Sequence, residues 1–343
     1  MPILPSPRGP LSGLVLAALR SAPGSLPAAD VAEVEPVAVP DPLADDDLHL
    51  ALYCCYELHY RGFDGVDERW EWDPSLLRLR ALLEDAFETG LDDALAGWRP
   101  PRAEAATMDL ALREVIDADP APSLSRHLET RGTAEQFREL LVHRSAYQLK
   151  EADPHSWAIA RLSGPPKAAL VEIQADEYGG GDPDRVHAHL FARTMRAVGL
   201  DDTYGAYLDL LPGVTLATVN LMSLFGLHRR NRGKVVGHLA LFEMTSSIPN
   251  RRYATGLRRV GLDGVDVTAF FDEHVTADAV HENIAAVDLA GGLVRLEPRL
   301  VDDVLFGAQA LVELDGRWAT ALLDAWQEQD TALHAPPAAV VGA

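Results

Sequence analysis

Two histidines and an aspartate share one short segment, FFDEHVTADAVHEN: His274, Asp278 and His281. In an α-helix each residue advances about 100°, so Asp278 lies about 40° and His281 about 20° from His274 around the axis. Val267, Phe270, Phe271, Ala285 and Leu289 share that direction, while Asp272, Thr276 and Asn283 fall opposite. Three titratable groups therefore stand in the middle of an apolar face. A buried aspartate without a partner is costly, and neighbouring imidazoles do not offset it. A metal ion does, because it accepts neutral imidazole and ionised carboxylate together. His274 and His281 are about 10 Å apart along the axis, a long reach for one ion. Two ions about 3.5–4 Å apart, with Asp278 between them, fit better. The competing reading is a helix whose polar residues line a wet crevice.

Two ions need further ligands from facing helices. Glu243 is the one carboxylate in the apolar run VVGHLALFEM, on a face with Val236, Leu239 and Ala240. Its alternative role is an ion pair with Arg229, Arg230 or Arg251. The stretch EIQADEYGGGDPDRVHAHLF offers Glu172, Asp176 and Glu177, then His187 and His189. Its three glycines permit a sharp turn that brings Glu177 and His187 to one point. His187 and His189 lie two residues apart and do not share a helix face. His187 points inward with Leu190, Phe191 and Met195, so His189 is the supporting or surface residue. Glu177, His187, Glu243, His274, Asp278 and His281 make three carboxylates and three imidazoles. Mixed oxygen and nitrogen donors on helices suit iron or manganese better than a thiolate-loving metal.

The elements that must position these groups read as helices throughout. After a Pro-, Ala-, Ser- and Gly-rich stretch over residues 1–40, expected as a mobile arm, Asp45–Asp47 caps LHLALYCCYELHYRGF. Pro74 opens a second long helix. Prolines 100, 101, 120 and 122 mark a connector around a short helix. RGTAEQFRELLVHRSAYQLKEADP reads as one helix ending before Pro154, and PPKAALVEIQADEY as another ending at the glycines 179–181. RVHAHLFARTMRAVGL, VTLATVNLMSLFGL and GKVVGHLALFEMTSSI follow, the last broken by Pro249. The helix with His274 stops at Gly291 and Gly292. The expected organisation is an arm over 1–40, a helical extension over 41–130, a metal-binding core over 131–330 and a loose tail over 331–343.

A formal charge of −22 argues against nucleic acid or an anionic membrane as partner. Cys54 and Cys55 are adjacent in an apolar run, which suits buried free thiols in a reducing compartment rather than a disulfide framework. The apolar run Leu14–Leu19 is short for a signal peptide and follows a proline-crowded segment. A cytoplasmic protein is the expectation.

The motifs DEYGGG…RVHAHLF, LFEMTSS…P and FDEHVTADAVHEN resemble the haem-oxygenase-like diiron oxidases, or iron-containing redox enzymes. LALYCCYELHYRGF…WEWDP is similar to an N-terminal extension of longer members. The resemblance implies an all-α, haem-oxygenase-like bundle with an extra N-terminal helical segment, holding two Fe(II) ions and no haem. It further implies that Glu177 and His187 come from adjacent helical segments, that Glu243 bridges, and that His274, Asp278 and His281 complete the shell. Glu151 and Glu172 are candidates for one more carboxylate, and which of Glu172 and Glu177 ligates stays open. O₂ would be the co-substrate. Known reactions of such enzymes include N-oxygenation of amines or guanidines, C–C cleavage of amino acids and decarboxylation of fatty acids, so the substrate is a small metabolite of specialised metabolism. An electron donor and a homodimer are open expectations.

Tyr178, Met222, Phe225, Phe242 and Phe271 are candidates for a pocket beside the metals, though such residues at helical spacing are more often core. Arg251 or Arg252 is a candidate clamp for a substrate carboxylate. Two alternatives remain: a metal-free hydrolase of the same fold using a cysteine, and a helical metal- or partner-binding protein without O₂ chemistry.

Overall fold

The computed structural model describes residues 1–34, 37 and 39–337, with the backbone alone at 278 and 279. Its regular elements are all helical, and no strand occurs among the described residues. The protein is an all-α bundle with an added N-terminal helical segment.

The extension contains α1 (Pro10–Leu19), α2 (Asp46–Glu57) and α3 (Pro74–Leu95). Asp45 caps α2 by accepting from the Leu48 amide at 2.7 Å, and Asp73 caps α3 with Pro74 at its first position. The segment expected as a mobile arm carries α1, whose Val15, Leu16 and Leu19 are buried against α2. Its apolar run is a packing face, too valuable to leave in water. Short helices at Met108–Asp117 and Leu124–Thr130 form the connector.

The core begins with α4 (Ala134–Gln148), opened by a capping box between Thr133 and Gln136. It continues through α5 (Gly164–Glu177), α6 (His187–Ala197), α7 (Gly213–Leu227), α8 (Arg232–Arg259), α9 (Val265–Asn283) and α10 (Val301–Gln327). α8 is the central element and packs on α9, α10 and Leu124–Thr130. Its approach to α10 is set by glycine: a Cβ at Gly237 would strike the Val304 carbonyl, and one at Gly307 the Lys234 carbonyl.

Three boundaries differ from the sequence expectation. α4 stops at Gln148 instead of running to Pro154. α8 is not broken at Pro249 but runs through it, because both halves are held by packing, Gly233 and Gly237 against α10 and Gly256 against Phe137 and Leu128, and the lost amide bond is one among many. The chain does not stop at Gly291 and Gly292: both keep right-handed φ of −61°, and a π-helical segment, Ile284–Gly291, extends α9.

One apolar cluster runs from Leu11 to Leu333. At the seam between extension and core, Lys150 and Glu57 form a fully buried ion pair at 2.9 Å, with Tyr204 donating to the same carboxylate at 2.6 Å. Within the expected tail, Leu333 is buried, the Ala332 amide donates to Glu139 and the His334 amide to the Leu210 carbonyl; residues 338–343 lie outside the described ones. No helix among the described residues is long and apolar enough to cross a membrane.

Candidate metal centre

Four segments deliver the site. Glu177 is the last residue of α5, on the inward side with Leu170, Ile173 and Gln174. The turn after it needs left-handed backbone: Gly179, Gly180 and Gly181 have φ of 75°, 60° and 91°. At Gly179 a Cβ would also lie 2.8 Å from the backbone of Arg185 and Val186. The reversal places His187 at the start of α6, with Nδ1 2.9 Å from Glu177 Oε2.

Glu151 comes from the turn after α4. Ala152 there has φ of 72°, a strained position for a residue with a Cβ. Gln174 on α5 braces that turn, donating from Nε2 to the Ala152 carbonyl at 2.8 Å and to Ser156 Oγ at 2.7 Å. α8 contributes Glu243, buried between Phe242 and Met244. α9 contributes His274 and His281, both buried. The side chain of Asp278 lies outside the described residues.

These side chains form two donor groups. Glu151, Glu177, His187 and His274 each offer an atom within 4.8 Å of the others, and so do Glu177, Glu243 and His281. Glu177 belongs to both. The orientation of each α9 histidine is fixed from outside the cluster. His274 Nδ1 donates to the Phe270 carbonyl at 2.7 Å, leaving Nε2 3.6 Å from Glu151 Oε1. His281 Nε2 donates to Asp176 Oδ2 at 3.1 Å, leaving Nδ1 3.3 Å from Glu243 Oε2 and 3.8 Å from Glu177 Oε1. A histidine whose outer nitrogen is tied to a carbonyl or carboxylate, with its inner nitrogen turned toward a carboxylate cluster, is arranged as a metal ligand.

Three inward atoms make no well-aligned hydrogen bond among the described residues: His187 Nδ1 and His281 Nδ1, which face carboxylates only as ion pairs, and Glu151 Oε2. Buried polar atoms are rarely left so, and here all three converge on the cluster. The electrostatics agree. Burial alone would discharge His281, but Glu243, Asp176 and Glu177 outweigh it and hold the ring up to about 9. His187 is likewise raised against burial by Glu177, and Glu177 is lowered against burial chiefly by His187. Protons on the histidines balance the carboxylates, and a cation would replace them. Three carboxylates facing two divalent ions leave a small net charge. The residues present fit a pair of metal ions.

Of the other sequence candidates, Asp176 is exposed and reaches the cluster only through His281. Glu172 is exposed, and His189 is exposed and bonded to the Pro183 carbonyl. Phe242 and Phe271 line a cavity of about 240 Å³ beside the cluster. Tyr178 and Arg251 do not: the Tyr178 hydroxyl donates to Asp153 at 2.8 Å, because the turn after Glu177 swings it outward, and Arg251 lies on the outer side of α8. Arg252 sits beside Ser123, Ser125 and Glu129, not in the cavity. Met222 lines a smaller neighbouring cavity, and Phe225 is core.

Sequence reasoning passed over Gln174, Tyr147 and the pair His155–His238, whose rings meet at 3.1 Å. Tyr147 and His155 line a void of about 10 Å³ with Glu151, Glu177, Glu243 and His274, room for about one atom. The signal for His238 was present, as a lone histidine one helical turn before Phe242 in an apolar run.

Residues 138–316 match the family described as "Iron-containing redox enzyme", a span that holds every residue of both donor groups. A nitrosourea synthase of Streptomyces achromogenes subsp. streptozoticus is 32% identical over 148 residues, 43% of this chain. That alignment covers 31% of the relative's length.

Proposed function

The chain belongs to the iron-containing redox enzyme family, and from that premise we propose that it binds two Fe(II) ions and oxidises a small metabolite with O₂. The observation that carries this reading is the membership of Glu177 in both donor groups. One ion would be held by Glu151, Glu177, His187 and His274, the other by Glu177, Glu243 and His281. Asp278, one turn from each α9 histidine, is the remaining donor on that helix. In this reading Glu177 would serve both ions and Glu243 one of them.

A pair of ferrous ions would supply two of the four electrons that reduce O₂ and the substrate the other two, and a reduced electron donor would return two electrons to the irons between turnovers. The protein's own part is to place and enclose. Phe270 and Asp176 fix the α9 imidazoles by hydrogen bonds. Gln174 holds the strained turn that presents Glu151. Phe242, Phe270 and Phe271 wall the adjoining cavity and keep bulk water from the cluster. The void at the cluster, about 10 Å³, has no room for a macrocycle, which supports iron without haem.

A cysteine hydrolase is disfavoured: burial pushes the Cys55 thiol up to about 12 and Cys54 higher than usual as well, so neither offers a thiolate.

The test is anaerobic loading with Fe(II), then mixing with air-saturated buffer. Oxidation of both irons and O₂ uptake that zinc-loaded protein lacks are expected. His274→Ala and Asp278→Ala should each lose iron, while Asp272→Ala, whose carboxylate pairs with Arg258 on the outer side, should keep it. Full iron in both ligand variants, or iron that never reacts with O₂, would overturn the reading in favour of a binding role.

A further inference from the structure

We infer that the cavity beside the cluster holds an α-amino acid, its carboxylate on Arg144, its ammonium on Asp315 and Gln148, and its side chain directed past Phe242 toward the metals. The direction of the side chain rests on the function proposed above; the recognition of the head group does not.

The cavity lining is of two kinds. Phe191, Phe242, Phe270 and Phe271 form an apolar wall, and Phe242 and Ser246 also line the void between Glu151, Glu243 and His274. Arg144, Gln148 and Asp315 line the same cavity with polar groups. The Arg144 guanidinium carbon lies 4.1 Å from the Trp318 ring centroid, a cation–π contact that anchors it. Its nearest approach to Asp315 is 4.0 Å, an ion pair without a hydrogen bond. The two charges thus stand beside each other without consuming each other's donors and acceptors. Gln148 adds a buried Oε1 with no partner among the described residues.

An unpartnered acceptor and a carboxylate in one cavity wall call for a donor, and a guanidinium there calls for a planar anion. An ammonium and a carboxylate on one carbon meet both demands. A simple fatty acid meets only one, and places its charge near Asp315 and near Asp119 on the same wall. Arg144 precedes the end of α4 by four residues, about 6 Å at the helical rise, and Glu151 lies beyond that end, so the side chain must be several bonds long to reach the metals.

The experiment is isothermal titration of the full chain, iron-loaded without oxygen and iron-free. The probes are L-norleucine, pentylamine and hexanoate, which share one tail and differ in head group. Norleucine should bind at least about tenfold more tightly than either analogue, the usual scale for losing one charged partner. Arg144→Gln should weaken norleucine by at least about tenfold and leave pentylamine unchanged. Asp315→Asn should weaken norleucine and pentylamine but not hexanoate, a selectivity that misfolding would not produce. Hexanoate binding as well as norleucine, or norleucine failing to bind a chain that holds two irons, would overturn the inference while leaving the proposed function standing. Norleucine binding to a chain that takes up no iron would uphold the inference and remove the proposed function.

Discussion

Glu177 Oε2 stands 2.9 Å from His187 Nδ1 across the glycine turn that separates their helices, and the same carboxylate lies 3.8 Å from His281 on α9. One side chain thereby touches histidines from two directions, a geometry that bare protein satisfies with protons and that two cations would satisfy better.

The Asp176–His281 bond predicts a graded effect. Asp176 accepts from His281 Nε2 from an exposed position and does not face the cluster. Asp176→Asn should therefore leave the fold unchanged and weaken iron binding roughly tenfold to a hundredfold, the range for a residue that orients a ligand. Competition with a chelator measures it. Unchanged affinity would show that His281 is held by other contacts.

Lys150 and Glu57 predict a large stability effect at the seam between extension and core. Both are buried, and Lys150 also lies over the rings of Tyr53 and Tyr60. Lys150→Met strands a buried carboxylate and should cost about 3–5 kcal/mol in urea unfolding. The double variant with Glu57→Gln should recover part of that loss, and no recovery would count against a paired charge.

His49 predicts a pH dependence of stability. Burial lowers this histidine to about 4 against an ordinary value of 6.5. Its Nε2 donates to the Pro42 carbonyl at 2.9 Å and its Nδ1 accepts from Asn220 Nδ2 at 3.2 Å, so a second proton has no acceptor. Asn220 cannot flip to provide one, because the same nitrogen donates to the His49 carbonyl. The unfolded chain binds more protons than the native one between pH 6.5 and 4. Stability is therefore full above pH 6.5 and falls through that window, by up to about 3 kcal/mol for this residue. Urea midpoints across the window should fall less steeply in His49→Gln; an equal slope would contradict the assignment.

Much of the site was legible where local pattern and burial coincide. His274 and His281 stand out on an otherwise apolar helix face, and the three glycines announce the reversal between Glu177 and His187. Glu243 stands out as the one carboxylate in the apolar run VVGHLALFEM. Glu151 was legible only as a secondary candidate, since α4 reads as continuing to Pro154. Its true end depends on Ala152 entering a left-handed conformation that alanine does not advertise, held there by Gln174 from another helix. Arg144 likewise looks like any charged helix residue until Trp318 and Asp315, far along the chain, stand beside it. Pro249 and the pair Gly291–Gly292 misled in the opposite sense, as local breakers that tertiary packing overrides.

The central claim is that one carboxylate joins two metal positions. Iron bound per chain after anaerobic loading tests it, measured by elemental analysis on wild type, Glu177→Ala and Glu243→Ala. Two irons in wild type, close to none in Glu177→Ala and about one in Glu243→Ala are expected from the two donor groups. A single iron in wild type, or a Glu177→Ala variant that keeps both, would contradict the account.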